Sequence, residues 1–122
     1  MPGTLPGLQP SAEAFARFAA EGVGVGIFAY EVSPEDPDAL EARMFWPAGG
    51  VREDPATGSA AAALAGLLAS LRPARACRVR ITQGRTMGRL SEIEAGAEEQ
   101  AGEIRAWVAG ACVPMMEGAL RL

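Results

Sequence analysis

Glu53-Asp54-Pro55-Ala56-Thr57-Gly58-Ser59, followed by Ala60-Ala61-Ala62-Ala63-Leu64-Ala65-Gly66-Leu67-Leu68-Ala69-Ser70-Leu71, is the stretch whose reading decides the fold. A helix from Gly58 to Leu71 built almost wholly from Ala, Gly and Leu has small side chains on every face. Such a helix is expected to be enclosed on all sides rather than to lie on a surface. Pro73 cannot continue it, because proline lacks the backbone N–H and clashes with the preceding turn.

Upstream, Met1–Gln9 reads as an opening loop around Leu5 and Leu8. Ser11 fits a helix N-cap, with Glu13 in the first turn, Phe15, Phe18 and Ala19 on one face and Gly22 as the stop. Val23–Val32 reads as a strand thinned by Gly24 and Gly26, and Ser33–Asp38 as a solvated turn. Leu40–Trp46 alternates Leu40, Ala42, Met44 and Trp46 against Glu41, Arg43 and Phe45, the period of a strand. Pro47–Gly50 reads as a loop.

Downstream, Arg75–Thr82 alternates Cys77, Val79 and Ile81 against Arg78 and Arg80. Leu90–Ala95, Glu103–Ala109, Ala111–Met116 and Ala119–Leu122 read as further strands joined by glycine-bearing turns. Gln83–Arg89 reads as a hairpin with structural glycines, and Glu98 and Glu99 as a solvated pair in a turn. One buried helix flanked by strands predicts an α+β fold, a curved mixed sheet wrapped around a central helix, with residues 1–122 as a single domain.

Composition narrows the chemistry. The net charge is −4 and the 11 basic residues are all arginine, scattered without a stripe, which argues against nucleic acid as the ligand. With no histidine and no lysine, a histidine-based triad and a lysine Schiff base are excluded. The two cysteines, Cys77 and Cys112, lie outside any metal spacing and read as buried thiols. No apolar run approaches the roughly 20 residues that cross a bilayer, and no leader pattern opens the sequence, so the expected setting is cytoplasmic, with no membrane contact.

The segment before the helix is where function enters. Thr57, Gly58 and Ser59 in the first turn would direct unpaired backbone N–H groups, hydroxyls and the helix dipole at whatever lies beyond, a setting for a carboxylate or phosphate. Glycine at position 58 lets a ligand approach the backbone. Asp54 could hold a substrate ammonium or a proton in transit. The same residues fit a purely structural role, with Asp54 as the helix cap and Pro55 at the first helical position. Arg43 fits an anion ligand or a surface salt bridge, Glu53 a solvent-facing residue or an ion pair with Arg52 or Arg43, and Trp46 and Trp107 packing or interface roles.

Met44-Phe45-Trp46-Pro47, the Glu53–Ala60 segment, Gln83-Gly84-Arg85-Thr86-Met87-Gly88-Arg89 and Val108-Ala109-Gly110-Ala111-Cys112-Val113-Pro114 occur in the order found in the phenazine-biosynthesis (PhzF-like) isomerases, and together they closely resemble the C-terminal half of that family. The resemblance implies one half of a diaminopimelate-epimerase-like fold, with the active site between two halves at the N-terminal ends of their central helices. It implies proton-shift isomerisation of a small carboxylate metabolite without metal or organic cofactor. By position, Asp54 is the expected catalytic polar residue, and Thr57, Gly58 and Ser59 are the expected substrate-binding residues. In the related epimerases a cysteine stands where Thr57 stands here, which excludes a two-thiol mechanism on this half. Leu90 replaces the proline that usually follows Met-Gly-Arg. The family's general acid/base, a glutamate, belongs to the half that this sequence lacks, and Glu53 and Asp54 cannot reach from the opposite side of the cleft. Three functions follow as alternatives: an isomerase completed by a complementary N-terminal-half polypeptide or a second copy of this chain, a non-catalytic small-carboxylate-binding module, or a remnant.

Overall fold

A computed structural model describes residues 3–22, 26–46 and 51–121. The elements in chain order are α1 (Ala12–Ala20), β1 (Ile27–Val32), β2 (Ala39–Trp46), β3 (Val51–Asp54), α2 (Gly58–Leu71), β4 (Ala76–Gln83), β5 (Ser91–Gln100) and β6 (Glu103–Ala109). Short 3₁₀ turns occupy Leu5–Gly7 and Arg85–Met87. The strands form one sheet in the order β1-β2-β4-β5-β6, with β3 attached to β2. Among the described residues only the β2–β4 pairing is parallel. The sheet is mixed, curved and unclosed, as the α+β reading expects.

The core is the seam between one sheet face and α2. Leu40, Ala42, Val79, Ile81, Ile93, Ala95 and Ala97 face Ala61, Leu64, Ala65 and Ala69 of the helix. Alanines at these helix positions let the backbone settle close against β-branched residues of the strands. Against the expectation of a helix enclosed all round, Ser59, Ala63, Leu67 and Leu71 form an exposed stripe at four-residue spacing, with Leu71 72% exposed. The open sheet covers only one side of α2, so its uniform composition does not report its burial.

Ser11 caps α1 as read, accepting from the Ala14 N–H at 3.3 Å. The strand expected over Val23–Val32 is present from Ile27; Val23–Val25 lie outside the described residues, as does the Pro47–Gly50 loop. The expected hairpin over Gln83–Arg89 joins β4 to β5, with Gln83 opposite Ser91 and left-handed Gly84 and Gly88 bracketing the 3₁₀ turn. β5 runs on to Gln100, so Glu98 and Glu99 are strand residues and the turn falls at Ala101-Gly102. The strands expected over Ala111–Met116 and Ala119–Leu122 do not form: residues 110–121 carry no regular structure and are exposed. Their apolar pattern satisfies the strand rule, but among the described residues no strand pairs with them. Cys112 is consequently exposed rather than buried, and Cys77 is half-buried with its thiol donating to the Ala65 carbonyl at 3.1 Å. Among the described residues no helix is long and apolar enough to cross a membrane.

Candidate functional site

Two strands share one edge of β2. β4 pairs with Ala39–Ala42 and ends with Gln83 opposite Ala42, while β3 pairs further along and ends with Asp54 opposite Met44. The ends of β3 and β4 therefore meet, and the chain leaving Asp54 turns through Pro55 and Ala56 into α2 at that junction. The sequence reading missed β3, a four-residue strand whose polar Arg-Glu-Asp content carries no alternation signal.

Asp54 is thus a strand end and not the cap of α2. The cap position falls to Thr57, and Pro55 precedes the helix by three residues, so the capping role for the Asp54-Pro55 pair does not hold. Thr57 makes no side-chain cap bond; its hydroxyl instead lies 2.7 Å from Asp54 Oδ2. Among the described residues nothing accepts from the N–H groups of Gly58, Ser59 and Ala60. Of these, Gly58 and Ser59, at the positive end of a 14-residue helix, border a hollow of about 390 Å3 lined by Met44, Trp46, Asp54, Ala56, Thr57, Gly58 and Ser59. Such an end can take an anion, since it offers orphan donors and a favourable dipole together. All four expected site residues are gathered here, with Ser59 exposed and the other three half-buried. A methyl group on Gly58 would meet only Val108 Cγ2, at an ordinary 3.6 Å, so protein packing does not demand glycine there.

Beneath this floor lies Gln83, fully buried. Its Nε2 donates to the Asp54 carbonyl at 2.6 Å and to Thr57 Oγ1 at 2.9 Å, and its Oε1 accepts from the Thr57 N–H at 3.2 Å. The sequence signals no site role for Gln83 beyond a polar residue at the next inward position after Cys77, Val79 and Ile81, beside Gly84.

Arg43 and Glu53 stand behind the site. They form a two-bond ion pair, and both side chains are largely buried, at 8% and 12% exposure. The expected pairing is therefore present, but it is no surface bridge, and Arg43 is not available to an anion in the hollow. Arg43, assisted by the Thr86 hydroxyl, holds the Glu53 carboxyl below its ordinary range against the opposing effect of burial. Of the two tryptophans, Trp46 lines the hollow and Trp107 lies over Gly96 on the outer sheet face. Among the described residues no group of His, Cys, Asp and Glu could hold a metal ion.

The sequence profile of a family described as phenazine biosynthesis-like protein matches residues 4–118. An uncharacterized isomerase of Deinococcus radiodurans is 38% identical over 113 residues, covering 88% of this chain and 36% of that protein. The crystal structure of the Bacillus anthracis phenazine biosynthesis protein, PhzF family, shares the fold with a TM-score of 0.68 at 18% identity, over 84% of this chain and 36% of the other. The chain thus spans about a third of the length of these relatives.

Proposed function

The chain belongs to the phenazine biosynthesis-like protein family, and from that premise we propose that it forms one wall of the active site of a cofactor-independent isomerase acting on a small carboxylate metabolite. The observation that carries this reading is the uncapped start of α2, where Thr57 turns its hydroxyl to Asp54 and leaves the N–H groups of Gly58 and Ser59, two residues that line the hollow, without an acceptor among the described residues. In this reading those donors and the Ser59 hydroxyl hold the substrate carboxylate. Thr57 shapes the floor, and Asp54 contacts a second polar group of the substrate as the catalytic residue of this wall.

The general acid/base comes from outside the chain. Asp54 is the one ionisable residue lining the hollow among the described residues, and its Oδ2 is occupied by Thr57. The opposite wall is a complementary polypeptide corresponding to the N-terminal half of the relatives, or a second copy of this chain. The metabolite and that partner complete the assembly, which needs neither nucleic acid nor membrane. A second reading, a carboxylate-binding module without catalysis, draws on the same fact: the anion-holding donors are complete in this chain, whereas the base is not.

The native mass of the protein purified from its own source, with co-purifying chains identified, separates these readings. A stoichiometric complex with a polypeptide that places a carboxylate base opposite Ser59 supports the isomerase. A monomer, or a homo-oligomer whose second copy brings no base to the hollow, overturns it in favour of the binding module.

A further inference from the structure

We infer that Gln83 is a positioning residue that fixes the direction of the Thr57 hydroxyl hydrogen, and thereby presents Asp54 to the hollow as an acceptor with one oxygen already committed. The inference follows from which partners can only donate and which can only accept. The Asp54 carbonyl can only accept, so the Gln83 atom 2.6 Å from it is the NH2 group. The Thr57 backbone N–H can only donate, so the Gln83 atom 3.2 Å from it is the carbonyl oxygen. Two backbone groups of opposite character thus remove the usual ambiguity between the two ends of a glutamine amide.

The second Gln83 hydrogen then points to Thr57 Oγ1 at 2.9 Å. With its oxygen accepting from Gln83, the threonine hydroxyl has its single hydrogen to give, and the acceptor at 2.7 Å is Asp54 Oδ2. The direction runs Gln83 to Thr57 to Asp54 without a free choice at any link. Both hydrogens and the oxygen of the glutamine amide are used, as full burial requires of a polar group.

The surrounding fold holds the relay in place. Gly84 takes a left-handed conformation, with φ of +83°, immediately after Gln83. A methyl group there would meet the Pro55 carbonyl at 3.0 Å and run into the Arg89 carbonyl. The bare backbone is what lets the end of β4 approach the Asp54–Thr57 segment closely enough for one side chain to bind it three times. The consequence for a bound carboxylate rests on the function proposed above; the hydrogen-bond direction does not.

The test is NMR of the full chain without ligand, observing the Thr57 hydroxyl proton and its through-space contact to the Asp54 methylene protons. In the wild type this proton should exchange slowly and show that contact. In Gln83→Leu its exchange should quicken by about fivefold to tenfold, the worth of one hydrogen bond, while core amides such as those of Val79 and Ala95 keep their protection. Gln83→Glu, which keeps the shape, covers the case in which Gln83→Leu does not fold. Once ionised, the new carboxylate draws the hydroxyl hydrogen away, and the contact to Asp54 should vanish. Thr57→Ser should retain slow exchange and the contact. Persistence of the Asp54 contact in ionised Gln83→Glu, unchanged hydroxyl exchange in Gln83→Leu, or a wild-type hydroxyl exchanging as freely as one in water, overturns the inference. Because no ligand is involved, the carboxylate reading can fail while the relay stands, and the reverse.

Discussion

Arg43 on β2 and Glu53 on β3 meet side by side, Nε to Oε1 and Nη2 to Oε2, each at 2.9 Å. The remaining guanidinium nitrogen, Nη1, donates to the carbonyls of Leu5, Pro6 and Leu8 at 2.9, 3.1 and 2.9 Å. One side chain therefore ties Glu53 of β3, whose next residue is Asp54, to the turn at Leu5–Gly7. Glu31 holds the other end of that turn, its carboxylate accepting from the N–H groups of Gly3, Thr4 and Leu5. The Arg43 guanidinium also lies over the Phe45 ring, 4.7 Å from its centroid.

Arg43→Ala should cost about 3–5 kcal/mol, since removing one partner leaves the largely buried Glu53 charge with the Thr86 hydroxyl alone. Arg43→Lys should recover only a minor part of this, because a single ammonium cannot make a two-bond pair and reach three carbonyls together. Denaturant titration measures both, and hydrogen exchange at residues 5–8 should rise with the loss.

Acid should unfold this protein through the same pair. The Glu53 carboxyl is held below its ordinary value of 4.5, first by the hydrogen bonds from Arg43. Glu31 and Asp36 are lowered as well, chiefly by the backbone N–H groups of Leu5 and Asp38. A carboxyl lowered in the folded state binds its proton more weakly there than in the unfolded chain. Its contribution is complete above about 4.5 and drains away as pH falls through the lowered folded value. Stability against pH should therefore be flat from neutral to mildly acidic conditions and then fall. Glu53→Gln should start less stable and fall less steeply, which melting curves between pH 7 and 2.5 will read.

Much of this was legible in the sequence where side-chain period and chain geometry agree. β2, α2 and β6 follow from alternation, from a run of small residues ended by proline, and from turn glycines, and Asp54, Thr57, Gly58 and Ser59 lie together as their adjacency demands. What was not legible depends on who sits next to whom. β3 exists because β2 has a free edge beyond Ala42, which no local pattern in Val51–Asp54 announces. Asp54 and Pro55 carry strong helix-start chemistry, yet pairing with β2 holds Asp54 in the sheet and delays the helix to Gly58. Residues 111–116 have the composition of a strand, but among the described residues none pairs with them. Gln83 acquires its role only because two strand ends abut.

Gly84 and Gly88 look alike in sequence and in backbone, with φ of +83° and +66°, but differ in surroundings. Gly88→Ala meets open space and should cost only the left-handed strain, roughly 1–2 kcal/mol. Gly84→Ala adds collision with two carbonyl oxygens that belong to the backbone and cannot rotate away. Its cost should exceed that of Gly88→Ala by at least about 2 kcal/mol, and the Thr57 amide should lose protection only in the Gly84 variant. Equal losses would place the strain in the turn itself and not in the approach of β4 to Pro55.

Gly96 makes a similar argument on the outer face of the sheet, where it pairs with Trp107 of β6. The indole covers the glycine, which is buried, and a methyl group on Gly96 would run into the ring, with Nε1 2.8 Å away. Arg78, opposite Gly96 on β4, lies over the same ring, 5.7 Å from its centroid, and bonds Glu94. Gly96→Ala must therefore lift the indole off the sheet, at about 1–3 kcal/mol, with a red-shifted tryptophan fluorescence as the ring enters water. Trp107→Ala alone should cost a comparable amount by uncovering Gly96 and the Arg78 stem. In the double variant the obstruction is gone, and alanine suits a strand better than glycine. The two losses should then fall short of additivity by at least about 1 kcal/mol, the mark of residues in direct contact. Additive losses in denaturant titration would mean that the ring does not rest on Gly96 in solution.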